Sequence, residues 1–282
     1  MDIELLKTFL EVRKTRHFGR TAENLYLTQA AVSARIKQLE SILGTPLFTR
    51  YRNNLQLTPS GERLIDHADA ILMGWERARA DVLLTKKQTQ VLSIGGTSGL
   101  WDLVLQGALS AIHSTFPTVA LRAESHGQSV LIRRLMERTL DVVLLYEPAK
   151  LTELTTEQVA QSELVLVSTE RDKELMSVIN NQYVSVDWGT AFEMSYAQNY
   201  RETAPPVLHT TLARIALEFI MKHGGSAYLP QKMVVDFIGT DLFQVEGALV
   251  FSRPIYACYH NENRNTELIK EVLDVIIRES GR

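Results

Sequence analysis

A chain of 282 residues exceeds one typical domain and can bury more than one core. Its 45% hydrophobic and 22% charged content is ordinary for globular protein, apolar runs such as Val142–Tyr146 fall far short of the roughly 18 residues that span a bilayer, and the single Cys258 excludes an internal disulfide and a cysteine-based metal cluster. The net charge of −3 hides a basic head on an acidic body: residues 1–60 hold nine Lys/Arg and five Asp/Glu, the remainder is net −7, and such asymmetry points toward nucleic acid.

The first element is an amphipathic helix carrying Ile3, Leu6, Phe9, Leu10 and Val12. The N-terminus shows no basic stretch followed by an apolar one, so no signal peptide is expected and the protein reads as cytoplasmic. A short second helix spans Phe18–Leu25, with small Ala22 where two helices cross closely, and Tyr26-Leu27-Thr28 turns into a third. Thr28 is a cap for that third helix. Val32, Ile36, Leu39 and Leu43 recur on its inner face, and Ala30, Ser33, Ala34, Lys37 and Ser41 fall on the other. So little outward bulk lets the backbone press into a groove, and the DNA major groove, about 12 Å wide, admits one helix. Helix, short helix, tight turn and exposed helix is the helix-turn-helix order. Leu47–Thr58 then alternates around a basic, Asn-rich tip, a wing in which Arg50 and Arg52 suit phosphates or a narrow minor groove.

From about Pro59 to Thr85 a long helix is expected, with one stripe at Ile65, Ala68, Leu72, Trp75 and Val82 and a second at Leu64, Ile71 and Ala78. Two stripes suit two partners, the chain's own head and a second linker helix. Lys86–Gln90 reads as a polar hinge. Strands then alternate with helices: Val91–Gly95, helix Leu100–Thr115, Val119–Glu124, helix Ser129–Thr139, Asp141–Tyr146. The pattern restarts at Glu163–Ser168, followed by strands at 183–186, 207–209, 227–229 and 251–259 and helices at 191–200, 211–223, 231–237 and 265–278. This is an α/β body in two lobes. Cys258 falls within its last strand as a packing residue. A ligand belongs off the carboxyl ends of the strands, near helix N-termini, where Thr97, Ser98, Gln128 and Thr210 offer hydroxyl and amide groups. That set favours a small anion. Simple helix capping accounts for the same hydroxyls equally well. Trp101 is expected to fill part of the cleft. No catalytic motif, P-loop or metal-ligand spacing of the seven histidines is present, so no enzyme, metal or cofactor is expected.

Residues 1–60 resemble the winged helix-turn-helix of LysR-type transcriptional regulators, on Leu5, Phe9, Ala22, Leu25, Thr28-Gln29, Val32-Ser33, Ile36, Leu39-Glu40, Gly44, Leu47-Phe48, Arg50, Leu57-Thr58 and Gly61. The opening run to Leu10, Thr15–Arg20, and Leu47–Arg50 with Arg52–Asn54 are similar to a branch of that family from enteric bacteria. Gly225–Pro230 matches a segment of the family's second lobe. Ala30, Ala34 and Asn53 depart from the common pattern, so the operator of other members does not carry over.

The resemblance implies an α/β protein with an all-α winged head (1–58), a linker and dimerisation helix (59–88) and a periplasmic-binding-protein-like effector domain (89–282). Lobe I of that domain is about 89–161 and 253–282, and lobe II about 162–252. DNA contacts are expected from Thr28, Gln29, Ala30, Ser33, Arg35, Lys37, Arg50 and Arg52, and effector contacts from Thr97, Ser98, Gln128 and Thr210. Implied partners are double-stranded DNA, a small-molecule effector, a second copy through the linker helix, a homotetramer, and RNA polymerase; no membrane is implied. A DNA-architectural regulator without an effector is the alternative.

Overall fold

A computed structural model describes residues 2–51, 54–82, 90–171 and 173–281. Contacts divide the chain into two units, Met1–Leu84 and Thr85–Arg282. The head opens with α1 (Ile3–Thr15), whose first turn is closed by Asp2 accepting from the Glu4 N–H at 3.0 Å. Then come α2 (Phe18–Asn24) and α3 (Gln29–Leu43), with Tyr26 at φ 55° turning the chain between them. Leu5, Leu6, Phe9 and Val12 of α1 meet Ala22, Val32, Ile36 and Leu39 in one buried cluster. Leu43, expected inside, is 42% exposed, because the helix ends at Gly44 in the left-handed conformation and its last turn runs past the core.

The wing is a hairpin of β1 (Phe48–Tyr51) and β2 (Asn54–Leu57) with Phe48 opposite Leu57. Its tip residue Arg52 lies outside the described residues. The long helix α4 (Pro59–Val82) follows, capped by the Thr58 hydroxyl accepting from the Gly61 N–H at 3.0 Å. A Cβ on Gly61 would stand 2.3 Å from the Leu47 carbonyl oxygen, so only glycine lets α4 meet the wing root this closely. Ala68 is buried, and Leu64, Ile65 and Leu72 pack on the head core, while Ile71 and Trp75 stay exposed. The expected inner stripe thus stops at Leu72. Of the expected hinge Lys86–Gln90, residues 86–89 lie outside the described residues and Gln90 already opens the first strand of the body.

The body begins with β3 (Gln90–Gly96), α5 (Ser98–Leu100), a π turn at Trp101–Leu105 and α6 (Gln106–Thr115). The expected single helix is therefore interrupted: Gln106 N–H bonds the Trp101 carbonyl five residues back. Next are β4 (Val119–Ser125), α7 (Gln128–Met136), β5 (Val142–Leu145) and β6 (Leu154–Ser168). Then come α8 (Leu175–Asn180), β7 (Tyr183–Val186), α9 (Thr190–Asn199), β8 (Leu208–Thr210), α10 (Ala213–His223) and β9 (Ser226–Pro230). The chain closes with α11 (Gln231–Val234), a 3-10 turn at Val235–Phe237, β10 (Phe243–Gln244), β11 (Phe251–His260) and α12 (Thr266–Ser280).

Among the described residues these strands form one sheet in the order β4-β3-β5-β11-β6-β9-β7-β8, with β10 beside β6. Two parallel triplets, β4-β3-β5 and β9-β7-β8, make the two lobes. The antiparallel pair β6 and β11 runs through both, with Ser162 opposite Arg253. β5 is buried on both faces, as its unbroken apolar run requires. Cys258 is buried on β11, its sulfur 3.3 Å from the Thr156 hydroxyl. No helix among the described residues is long and apolar enough to cross a membrane.

Candidate DNA-facing helix and ligand cleft

The Thr28 hydroxyl accepts from the Ala31 N–H at 3.2 Å and starts α3. Gln29, Ala30, Ala34, Lys37 and Ser41 are exposed along it, and Ser33 is half-buried at the edge of the same face. The structure brings Thr28, Gln29, Ala30, Ser33 and Lys37 onto one surface. It turns Arg35 away: its guanidinium donates to the Thr8 hydroxyl at 3.2 Å and sits 3.6 Å from Glu4, clamping α3 to α1. Glu40 fixes the wing root instead, accepting from Leu47 and Phe48 N–H at 2.8 and 3.2 Å. Arg50 is in β1 opposite Leu55 by its backbone, and its side chain is outside what is described. Two exposed residues were not singled out by the sequence. Tyr26 is 97% exposed beside the start of α3, and its turn conformation is the signal that holds it out. Arg20 lies on the first turn of α2, where its N–H donates to the His17 ring at 3.2 Å.

In the body a cavity of about 530 Å³ opens at the carboxyl ends of the parallel strands. Thr97, Ser98 and Gln128 line it, as expected. Thr210 does not. It is still within β8, buried, with its hydroxyl accepting from the Leu212 N–H at 3.2 Å, and Thr211 faces the cavity in its place. Trp101 is also absent from the lining, because its indole N–H donates to the Glu124 carbonyl at 2.7 Å and holds the ring aside. The sequence did not single out Tyr146, Glu147, Asp187 and Glu193, all of which line the cavity. The Tyr146 hydroxyl is buried without a partner among the described residues, and burial pushes its pKa well above the usual phenol range. Arg253 packs its guanidinium 5.3 Å from the centre of the Tyr146 ring, and burial pulls its pKa below the ordinary value against the opposing charge of Glu147. Asp102, on the π turn of one lobe, accepts from Arg214 Nε of α10 in the other at 3.0 Å. No group of three or more metal-binding side chains occurs among the described residues.

Residues 3–62 match the profile of the bacterial regulatory helix-turn-helix proteins of the lysR family, and residues 86–281 that of the LysR substrate binding domain. The chain is 37% identical over 97% of its length, and 95% of the relative's, to the HTH-type transcriptional regulator HdfR of Yersinia enterocolitica. It is 36% identical, with the same coverage, to that of Yersinia pestis. Among solved structures the LysR family transcriptional regulator CbnR covers 100% of both chains at a TM-score of 0.73 and 18% identity. The structure of full-length CbnR with its target DNA covers 99% of this chain and 100% of that one, with a TM-score of 0.72 and 19% identity.

Proposed function

Because the chain belongs to the LysR family of transcriptional regulators, and is not an enzyme, we propose that it binds an inverted-repeat DNA site as an oligomer and answers to a small molecule in the body cleft. The observation that carries the DNA-facing part is α3: a capped helix whose outer face is made of Gln29, Ala30, Ala34 and Lys37, all exposed, with two alanines leaving room beside the two long polar side chains. Gln29 and Ser33 read base edges, Gln pairing bidentately with adenine. Thr28, Ala30 and Lys37 settle the helix against the backbone, and Arg50 and Arg52 carry the wing onto phosphates or the minor groove. Arg35 positions α3 rather than touching DNA.

Residues 1–58 form the head, 59–88 the linker and 89–282 the regulatory body. The apolar side chains that α4 leaves exposed, Ile71 at 42% and Trp75 at 49%, suit a second α4 of another copy. Dimers pair through their bodies into a tetramer, and RNA polymerase is the partner at the promoter. Such a protein works in the cytoplasm. Thr97, Ser98, Gln128 and Thr211 take the effector.

Sedimentation of the full chain, wild type and Trp75→Glu, beside gel shifts on an intact inverted repeat and on one half-site tests the reading. A charge placed in an apolar seam lowers the assembly state, and the variant loses most of its preference for the intact repeat. Unchanged assembly removes Trp75 from the interface, and equal wild-type affinity for half-site and repeat overturns the two-fold reading.

A further inference from the structure

The two walls of the cleft carry different chemistry. On the lobe I wall the helix that starts at Ser98 and α7, which starts at Gln128, begin with N–H groups that no N-cap side chain bonds. Thr97, Ser98 and Gln128 surround them, and the carboxylate this lobe brings to the cavity, Glu147, is turned across to the N–H of Ala191 on the facing lobe. Such helix starts favour a negative group.

The facing wall is acidic. Asp187 and Glu193 line it, and Glu147 joins them at the floor. Its helix start is already occupied: Asp187 accepts from the Gly189 N–H at 2.9 Å and Glu147 from the Ala191 N–H at 3.1 Å, so α9 has its negative partners and offers little to an anion. Each of these two carboxylates spends one oxygen on α9 and keeps its second. Buried Arg253 behind Gly189 offsets one of the three charges and leaves the wall acidic.

Tyr146 stands between the walls. It is 7% exposed, its hydroxyl has no partner among the described residues, and that oxygen lies 3.7 Å from where a Cβ on Gly99 would sit, facing the cavity. An orphaned buried hydroxyl costs free energy until something bonds it.

We infer that the ligand of this cleft is a small zwitterion of the amino-acid class, its carboxylate on the helix starts at Ser98 and Gln128 with the Tyr146 hydroxyl, and its ammonium on Glu147, Asp187 and Glu193. The inference rests on the proposed sensor role of the cleft. A pure anion meets three carboxylates and a pure cation leaves two helix starts and a phenol unanswered, whereas a zwitterion satisfies both walls. The cavity of about 530 Å³ is of ligand size.

The test uses the full chain, with thermal shift and calorimetry against the twenty common amino acids. Each one that binds is compared with its des-amino acid and its decarboxylated amine at equal concentration. At least one amino acid raises the melting temperature, and neither truncated partner does. Glu193 is exposed in the first turn of α9, and its side chain has no hydrogen bond or ion pair among the described residues. Glu193→Gln weakens the amino acid by about tenfold, one charge-assisted contact, and leaves the des-amino acid no weaker. A des-amino acid that binds as tightly as its amino acid, or silence from all twenty, overturns the zwitterion. Gly99→Leu, which narrows the cleft against Thr211, separates the two levels. Acid-only binding abolished by it keeps the cleft as sensor with another ligand, whereas binding that survives it overturns the cleft reading itself.

Discussion

Thr28, Gln29, Ala30, Ser33 and Lys37 lie within ten residues of chain and need one helix to hold them, whereas the cleft draws Thr97, Gln128, Tyr146, Asp187 and Thr211 from just beyond the carboxyl ends of β3, β4, β5, β7 and β8. The first surface is convex and its side chains have few other duties. The second is concave, and its members also hold the fold: Asp187 and Glu147 serve the first turn of α9, and the Ser98 hydroxyl sits 3.2 Å from that of Ser125. A one-helix surface lets affinity vary while stability stays fixed. A site assembled at strand ends couples the two, since removing Asp187, Glu147 or Ser98 also removes a bond within the domain.

The sharpest way to break the comparison is to unfold one region alone. Phe9 is fully buried at the junction of α1, α3 and the wing, with its ring 5.5 Å from that of Phe48. Phe9→Ala should cost the head about 3–5 kcal/mol and abolish DNA binding, while calorimetry shows the body's unfolding near its wild-type temperature. Equal loss in both units would mean that the head has no stability of its own.

Gln29→Ala should act in the opposite sense. Its side chain is exposed, so the melting temperature should hold to within about 0.5 kcal/mol. Discrimination between operator and random DNA at fixed salt should fall by about 1–3 kcal/mol. An unchanged ratio takes Gln29 out of base reading. Lys37→Ala should weaken both DNAs together and flatten the salt slope by about one phosphate contact; a loss confined to the operator would make Lys37 a base reader.

The head was legible because a helix prints its faces at fixed spacing. Val32, Ile36 and Leu39 had to be inside once Gln29, Ala30 and Lys37 were outside. What sequence could not supply there was Arg35's partner, Thr8, twenty-seven residues away. In the body the strands and the hydroxyls that follow them were legible, and the slip from Thr210 to Thr211 comes from where β8 ends: Thr210 is its last residue, its hydroxyl held by the Leu212 N–H, and Thr211 is the first beyond it. The acidic wall was not legible, since nothing local marks Glu147, Asp187 and Glu193 as neighbours across a cavity. The first half of β6, Leu154–Ser162, carries little local signal for a similar reason. Its exposed positions, Glu157, Gln158 and Gln161, break strict alternation, and what pairs with it, β11, comes about a hundred residues later.

Acid should probe the body's own electrostatics with a smaller effect. Although burial works against it, Glu124 is held below its ordinary pKa by the hydrogen bond with His126 and the charges of Arg122 and Arg134. A carboxylate depressed in the folded state contributes stability above its unfolded pKa, about 4.3, and loses it as the pH falls through the folded value. Wild type should therefore lose more of its stability between neutral pH and pH 4 or below than Glu124→Gln does. Parallel acid limbs in the two melting curves would show that the cluster contributes nothing.

The smallest expected effect concerns the two lobes. Arg214 is 61% exposed, so its bond to Asp102 is worth at most about 1 kcal/mol in water-screened surroundings. Its position matters more than its strength, because it ties α10 of one lobe to the π turn of the other. Asp102 is only 10% exposed on its side chain and has a second oxygen without a hydrogen-bond partner among the described residues, so it loses more than it keeps when the arginine goes. Arg214→Ala should lower the melting temperature by a few degrees at most. Amide exchange should rise about fivefold at the first turn of α10 and at Trp101–Leu105, the local opening that loss of about 1 kcal/mol permits. Exchange confined to α10 would mean that the bridge steadies one helix. Exchange rising in both lobes together would mean that the bridge biases their closure over the cleft, and a ligand held between the walls would then act in the same direction as the bridge.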